Sequence, residues 1–380
     1  MTIWAYYSPY YLARLAALES MGCEVVGFSY CAAHEDYPFF NLLPRRHEQI
    51  NDCTFSQVRP LQSFRRTLAL LNRHRPDLVL SCGYERPETA AALAYARMTS
   101  VEGRHPGVLL MMDNKADDHP RPRWKEAVKS RYLKHFDGFV ISGSLTREYL
   151  AQLRAPMGRV CEGYNCVDND RISKLVQTAR RHGQRAGLVR DYFLCVARLV
   201  PKKNLAGLIR AYALYNASTS AEGGLPWQLV ICGEGPVRGD LEAAIASARV
   251  GDDVVLAGQI DDLDTLASYY AFARTCVLAS TSDEPWGLVI NEAMAAGLPV
   301  LVSNHCGCAP DLVEDGRNGF SFDPGDEGQL AAQMRWMHTH RSRLAGMGAA
   351  SCEIVQRFSP AAFAANVLRL AAWEPADGPG

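Results

Sequence analysis

The sequence predicts an α/β protein built from two parallel-sheet domains, and three observations carry that prediction. The chain has 380 residues, the length of two domains of ordinary size. Short apolar runs alternate with helical patterns throughout, as in strands joined by crossover helices. One stretch, Ser280 to Val302, shows the repeating unit openly. An apolar strand ending near Ala279 (TCVLA) breaks there into a polar loop, an Ala-rich helix follows from about Leu288 to Ala296, Gly297 stops it, and Leu298–Val302 begins the next strand.

Composition agrees. Apolar residues make up 48% of the chain, ample for two cores, and charged residues make up 21%, ordinary for a globular protein. Forty basic residues stand against 41 acidic ones, so nothing in the charge demands a nucleic-acid partner. The first-half strands lie near Ile3–Tyr7, Glu24–Phe28, Leu78–Ser81, Val108–Met112, Phe139–Ser142 and Val160–Gly163, each a short apolar run. Helical patterns fall between them near Tyr10–Met21, Leu61–His74, Thr89–Arg97, Arg123–Phe136 and Ser144–Leu153. The segment Gly163–Asp170 reads as the last strand leaving the first domain, residues 1–170. Residues 171–190 are polar and basic and suit a helix or linker.

The second domain, 191–358, resumes with Tyr192–Val200 and continues through WQLVICG, DVVLAGQ, the unit at Ser280–Val302 and GFSFDPGD. A last helix near Pro360–Trp373 ends in a Pro- and Gly-rich tail, which reads as frayed.

The twelve cysteines are scattered, several of them (Cys195, Cys232, Cys276) inside apolar runs where a thiol acts as a small hydrophobe. Cys161/Cys166 and Cys306/Cys308 lack zinc-ribbon spacing. A reducing compartment is expected, without disulfides or structural zinc. The start has no basic, then apolar, leader pattern, and no apolar run approaches about 18 residues, so a cytoplasmic protein is expected.

The loop of a strand–loop–helix unit lies at the carboxyl end of its strand, where parallel sheets bind ligands. The helix that follows presents backbone N–H groups and a positive dipole end, a place for phosphate. Two carboxylates frame this place, Glu284 in the loop and Glu292 in the helix. They can hold hydroxyls while the backbone between them holds an anion, a combination that suits a nucleotide-sugar.

Glu284 and Glu292, seven residues apart and followed by Ala293-Met294-Ala295-Ala296-Gly297-Leu298-Pro299-Val300, resemble the signature of the retaining family 4 glycosyltransferases. The resemblance implies the GT-B fold, two Rossmann-like domains facing a central cleft, with a helix over 359–373 crossing back to the first domain. It implies transfer of a sugar from a nucleoside-diphosphate donor, a UDP-hexose first, to a hydroxyl acceptor with retention of configuration. No metal and no cofactor are expected. The acceptor is left open among a glycan, a lipid carrier and a small metabolite.

The resemblance also assigns residues. Arg198, at a strand end, and Lys203, at the next helix start, correspond to the pair that holds the donor diphosphate, with Lys202 competing for the lysine role. Such fixed cations can do electrostatically what a metal ion does elsewhere. Gly233 and Glu234 form a turn that lies beside the nucleotide in relatives, or else serve only as a tight strand–helix turn. Gly258 belongs to a strand end that lines the base. Trp286 and Gly287 make the signature turn and are assigned to donor binding, and backbone at Gly287, Leu288 and Val289 holds phosphate or sugar oxygens. Glu292 takes the ribose hydroxyls and Glu284 those of the donor sugar.

The first half departs from the pattern. Where relatives have a Gly-Gly loop after the first strand, this chain has Ser8 to Arg14 without any glycine. That removes the dinucleotide fingerprint too. Where relatives often have a His beside the reacting carbon, this chain has Asp113, with His119 six positions on. Asp113 is read as acceptor-orienting or proton-accepting, or as a loop cap. In the segment 120–136, Trp124, Val128, Tyr132 and Phe136 recur at helical spacing among basic residues. That stripe is read first as a face packed on the sheet, then as a contact for an acidic acceptor or a weak peripheral contact with a membrane. Two rival functions stand beside transfer, a nucleotide-sugar epimerase and a catalytically silent binding or scaffold protein. The intact set Arg198, Lys203, Glu284 and Glu292 argues against the silent one.

Overall fold

The computed structural model describes residues 1–4, 7–33, 42–101, 104–118, 120–183, 186–282 and 284–372. The chain divides into two compact units, residues 1–167 with 358–380, and residues 168–357. The first is assembled from β1 (Thr2–Trp4), α1 (Pro9–Ser20), β2 (Gly27–Ala33), β3 (His47–Thr54), α2 (Pro60–His74), β4 (Leu78–Cys82), α3 (Pro87–Met98), β5 (Gly107–Met112), α4 (Arg123–Leu133), β6 (Gly138–Ile141), α5 (Ser144–Gln152) and β7 (Val160–Glu162). Its seven strands form one sheet in the order β3-β2-β1-β4-β5-β6-β7, every pair parallel.

Strand β3 is missing from the sequence-based expectation, and its composition explains why. It reads His-Glu-Gln-Ile-Asn-Asp-Cys-Thr and lies at the sheet edge, where only Ile50 and Asn51 are buried. An edge strand has less of its surface covered and needs no apolar run. Strand β2 runs later than expected, because Ser29 and Cys31 are buried there despite their weak apolar signal. The core of this unit is Phe28, Val79, Leu110, Phe136, Phe139 and Ile141 with their neighbours.

The second unit opens with α6 (Asn169–His182), followed by β8 (Tyr192–Val196), α7 (Leu205–Ala221), β9 (Gln228–Cys232), α8 (Arg238–Ala248), β10 (Val254–Gly258), α9 (Leu263–Phe272), β11 (Thr275–Leu278), α10 (Leu288–Ala295), β12 (Val300–Ser303), α11 (Ala309–Leu312), β13 (Gly319–Phe322), α12 (Glu327–Thr339) and α13 (Leu344–Val355). Its sheet is six-stranded and parallel, in the order β10-β9-β8-β11-β12-β13. The choice between helix and linker over 171–190 falls to helix up to His182. Asp168 caps α6 by accepting the Arg171 N–H at 3.0 Å, and Gly183 ends it at φ 64°. Ile172, Val176 and Ala179 are buried on one face, while Arg180 donates to the Ala271 and Ala296 carbonyls. Those contacts tie the segment to its own unit.

The last helix, α14 (Pro360–Ala371), belongs to the first unit. It packs on α1, and Asn366 donates to the Glu162 carbonyl at 2.9 Å. All twelve cysteines are free. Among the described residues, no helix is long and apolar enough to cross a membrane.

Candidate active site

In the second unit the loops that follow β8, β9, β11 and β12 lie at carboxyl ends of parallel strands. Arg198 leaves β8 with its side chain exposed, and Lys203 closes the short 3₁₀ turn before α7. The Lys203 ammonium donates to the Glu284 carboxylate, and Ser280 Oγ donates to the same carboxylate oxygen at 3.1 Å. Of the two competing lysines, Lys203 is therefore the one turned onto the signature loop. Lys202 is bound to that loop through its carbonyl, which accepts the Thr281 N–H at 3.0 Å.

Glu284 and Glu292 are both buried. Glu292 accepts a hydrogen bond from the Tyr270 hydroxyl of α9 at 2.8 Å. Between the glutamates, Gly287 caps α10 at φ 114°, a conformation that disfavours any residue with a Cβ. The first N–H groups of α10, at Leu288 and Val289, lie in the helix's first turn, where no intrahelical acceptor exists. The Trp286 ring is buried, and its Nε1 donates to Asn291 Oδ1 at 2.8 Å. Its side chain clamps the loop onto α10.

A support that sequence reasoning missed comes from the loop after β12. Gly307 N–H donates to the Glu284 carbonyl at 2.9 Å, and Cys308 N–H donates to the Trp286 carbonyl at 3.2 Å. A Cβ at Gly307 would sit 1.8 Å from the Pro285 carbonyl oxygen, so only glycine permits this approach. The signal was present as Cys-Gly-Cys, but nothing local says which backbone it meets.

Gly233 and Gly235 serve the same purpose. A Cβ at Gly233 would meet the Ala197 oxygen at 1.9 Å, and one at Gly235 would meet the Leu199 oxygen at 2.3 Å. The loop after β9 is thus zipped to the loop that carries Arg198, with Gly233 N–H also donating to the Gly258 carbonyl at 2.7 Å. Glu234 is exposed and pairs with Arg238 at 2.7 Å. Of the two readings of this turn, the backbone contacts account for both glycines. Asp262 caps α9 by accepting the Thr265 N–H at 2.7 Å.

In the first unit Asp113 follows β5 at the carboxyl edge of the sheet, partly buried. Burial first, then the negative charge of Asp118, push its carboxyl up to about 6, against a hydrogen bond from Asn165 and the charge of Arg14. His119 lies outside the described residues. The stripe expected over 120–136 is packed only in its second half: Phe136 is buried in the core with Tyr132 against it, while Trp124 is 67% exposed and Val128 62%. The buried positions of α4 are Lys129 and Leu133, and Lys129 donates to the Tyr149 hydroxyl at 2.5 Å and pairs with Glu126 at 3.0 Å. Lys129 with its two partners takes the inner face that Trp124 and Val128 leave. Trp124, Lys125 and Tyr132 line a groove of about 460 Å³ with Tyr84, Pro120 and Arg121.

The geometry can be set beside known proteins. Residues 180–351 match the family model for glycosyl transferases group 1. The sulfoquinovosyl transferase SQD2 of Arabidopsis thaliana is 32% identical over 134 residues, 34% of this chain and 25% of that protein. A GDP-mannose-dependent alpha-(1-6)-phosphatidylinositol monomannoside mannosyltransferase of Mycobacterium tuberculosis is 32% identical over 197 residues, 50% of this chain and 49% of that one. The chain thus spans about half or less of these curated relatives. Among solved structures, sucrose-phosphate synthase from Thermosynechococcus elongatus superposes with a TM-score of 0.71 at 19% identity, over 97% of each chain. Anabaena Alr3699/HepE in complex with UDP and glucose gives 0.72 at 16%, over 98% of this chain and 99% of that one. The fold is GT-B.

Proposed function

We propose that this chain is a retaining, metal-independent glycosyltransferase that moves a hexose from a nucleoside-diphosphate donor to a hydroxyl acceptor. The observation that carries the reading is the grouping of Lys203, Ser280 and Glu284 beside the first turn of α10, with Glu292 buried farther along the same helix. In this reading Arg198 and Lys203 face the diphosphate, Glu284 the sugar hydroxyls and Glu292 the ribose. The N–H groups of Leu288 and Val289 meet a phosphate or sugar oxygen. The bond from the anomeric carbon to phosphate breaks as the acceptor oxygen bonds to that carbon on the same face. The acceptor proton passes to the departing phosphate oxygen, so no protein nucleophile is required. Asp113 orients the acceptor. Two fixed cations already neutralise the leaving group, leaving little for a metal ion to do.

The names of the relatives divide on the base, since one uses GDP-mannose and a structural neighbour holds UDP. Thermal-shift measurement with UDP, GDP and their sugars decides between them, because a ligand that binds only the native state raises apparent stability. We expect UDP to raise the midpoint most, and Glu292→Ala to abolish that rise while Glu284→Ala keeps it. Product NMR in excess EDTA then checks the chemistry: an α-linked donor should give an α-linked product at undiminished rate. A β-linked product, or activity restored only by added magnesium, would overturn the mechanism.

We place the protein in the cytoplasm, in keeping with its twelve free thiols, with a weak membrane contact through α4. Trp124 and Val128 are exposed there among the exposed cations Arg123, Lys125, Arg131 and Lys134. Such a face suits an anionic lipid surface. Sedimentation with vesicles should retain the protein on anionic lipid, not on neutral lipid, and Trp124→Ser should reduce retention. Equal retention of the variant would remove α4 from the contact.

A further inference from the structure

Strands β8, β11 and β12 are neighbours in the second sheet, so the loops leaving their carboxyl ends lie side by side. The middle one, after β11, carries Thr281 and Glu284, and each of these is held from both sides. From the loop after β8, the Lys202 carbonyl accepts the Thr281 N–H at 3.0 Å and the Lys203 ammonium pairs with Glu284. From the loop after β12, His305 Nδ1 lies 2.6 Å from the Thr281 carbonyl oxygen, and Gly307 N–H donates to the Glu284 carbonyl at 2.9 Å. Thr281 is thus clamped between Lys202 and His305, and Glu284 between Lys203 and Gly307.

His305 is the unusual member of this set. It is exposed, so burial contributes little to holding its ring. Its backbone is anchored to the sheet: the His305 N–H donates to Ser303 Oγ at 3.1 Å, and the Asn304 N–H to the Phe322 carbonyl at 2.8 Å. A carbonyl oxygen only accepts, so Nδ1 carries the proton of the bond to Thr281 whether the ring is neutral or charged. The hydrogen bond at one ring nitrogen sets which of the two is protonated in the neutral form. Here it selects Nδ1–H, the form that neutral imidazole adopts less often in water.

We propose that His305 is a positioning residue for the Lys203–Glu284 pair: acting through the Thr281 peptide, its Nδ1–H sets the separation of the loop after β8 from the signature loop. This rests on the reading of Lys203 and Glu284 as the groups that face the diphosphate and the sugar of the donor. Lys203 follows directly on the carbonyl that Thr281 meets, and Glu284 lies three residues beyond Thr281. A displaced Thr281 therefore moves both partners of the charged pair. Of the four links, the one from His305 is the one whose side chain can be replaced without touching backbone or a residue assigned to the donor.

The geometry is tested first without any substrate. In the full chain with nitrogen-labelled histidine, long-range proton–nitrogen NMR in alkaline solution reports which ring nitrogen carries the proton. The His305 signals are those that His305→Asn removes. We expect Nδ1–H. A proton on Nε2 alone overturns the proposal, because His305 then gives nothing to Thr281. This result is independent of the transferase reading.

Kinetics of UDP-glucose and GDP-mannose hydrolysis supply the link to function. His305→Phe keeps a flat ring without the donor, and His305→Asn keeps an N–H near the place of Nδ1. We expect kcat to fall about 10-fold in His305→Phe, less than for loss of the Lys203 ammonium itself. KM for the donor should change less than about twofold, as for an interaction expressed in the transition state. His305→Asn should restore kcat, and the urea midpoints of both variants should match the parent's, because the position is exposed. If His305→Phe does not fold by circular dichroism, His305→Ala takes its place. Failure of both to fold, or a fall in kcat matched by a fall in urea midpoint, overturns the proposal, because His305 is then a structural strut. A kcat that stays low in His305→Asn overturns it too, since Nδ1–H is then not the group that matters. Parent-like kcat in His305→Phe while Lys203→Ala is impaired ends the positioning role alone. A parent protein that hydrolyses neither donor ends the transferase reading, and this role with it.

Discussion

Replacing Lys203 by Ala is expected to lower turnover by about 10²-fold or more, the range seen when one donor to a developing anion is removed. Replacing Arg198 by Ala should do the same, since both would face the charge of the departing diphosphate. The two variants should differ in stability. Lys203 pairs with Glu284, and both side chains are largely buried, at 13% and 11% exposure. Leaving one charge of such a pair behind costs on the order of 3 kcal/mol. Arg198 is exposed, and its loss should leave stability nearly unchanged. Adding Glu284→Gln to Lys203→Ala separates the effects: urea midpoints should recover while turnover does not. Turnover like the parent's in both single variants would remove the clamp from the mechanism. Recovery of turnover along with stability would assign Lys203 a structural task only.

Gly233→Ala is expected to cost about 3 kcal/mol or more, combining overpacking with a strained left-handed backbone. Gly233 has φ 146°, and its Cβ would lie 1.9 Å from the Ala197 carbonyl oxygen, an atom of the backbone that no rotamer change can move. The loop after β8 would have to shift, carrying Arg198 with it, so nucleotide affinity should fall as well. Gly239, in the first turn of α8, has nothing within 4 Å of a built Cβ. Gly239→Ala should therefore be neutral or slightly stabilising, because alanine is the better helix former. Urea unfolding with and without nucleoside diphosphate measures both effects. A parent-like midpoint in Gly233→Ala would show that the two loops are not held as tightly as the close approach requires.

Much of this protein is local and therefore legible in the chain itself. Buried parallel strands such as Val108–Met112 and Tyr192–Val196 are continuous apolar runs because both faces are covered. The unit from Thr275 to Ser303 announces its strand, turn, helix and strand through apolar length, Gly287 and Gly297. The placement of Glu284 and Glu292 on either side of a helix start follows from that alone. What tertiary structure decided is which face of each element is covered, and by what. The strand His47–Thr54 is stabilised by a neighbour in the sheet rather than by its own composition. The helix α4 turns Trp124 outward while Lys129 finds Tyr149 and Glu126 inside, partners up to 20 residues away. Glu284 is fixed by Lys203, 81 positions earlier, and by the backbone of Gly307. Arg14, an unremarked residue in a helical pattern, becomes a buried cation only when the segment after β7, 152 positions on, closes over it. Periodicity reports the hydrogen bonds a segment makes with itself. Burial and charge pairing depend on distances between segments, which the fold alone sets.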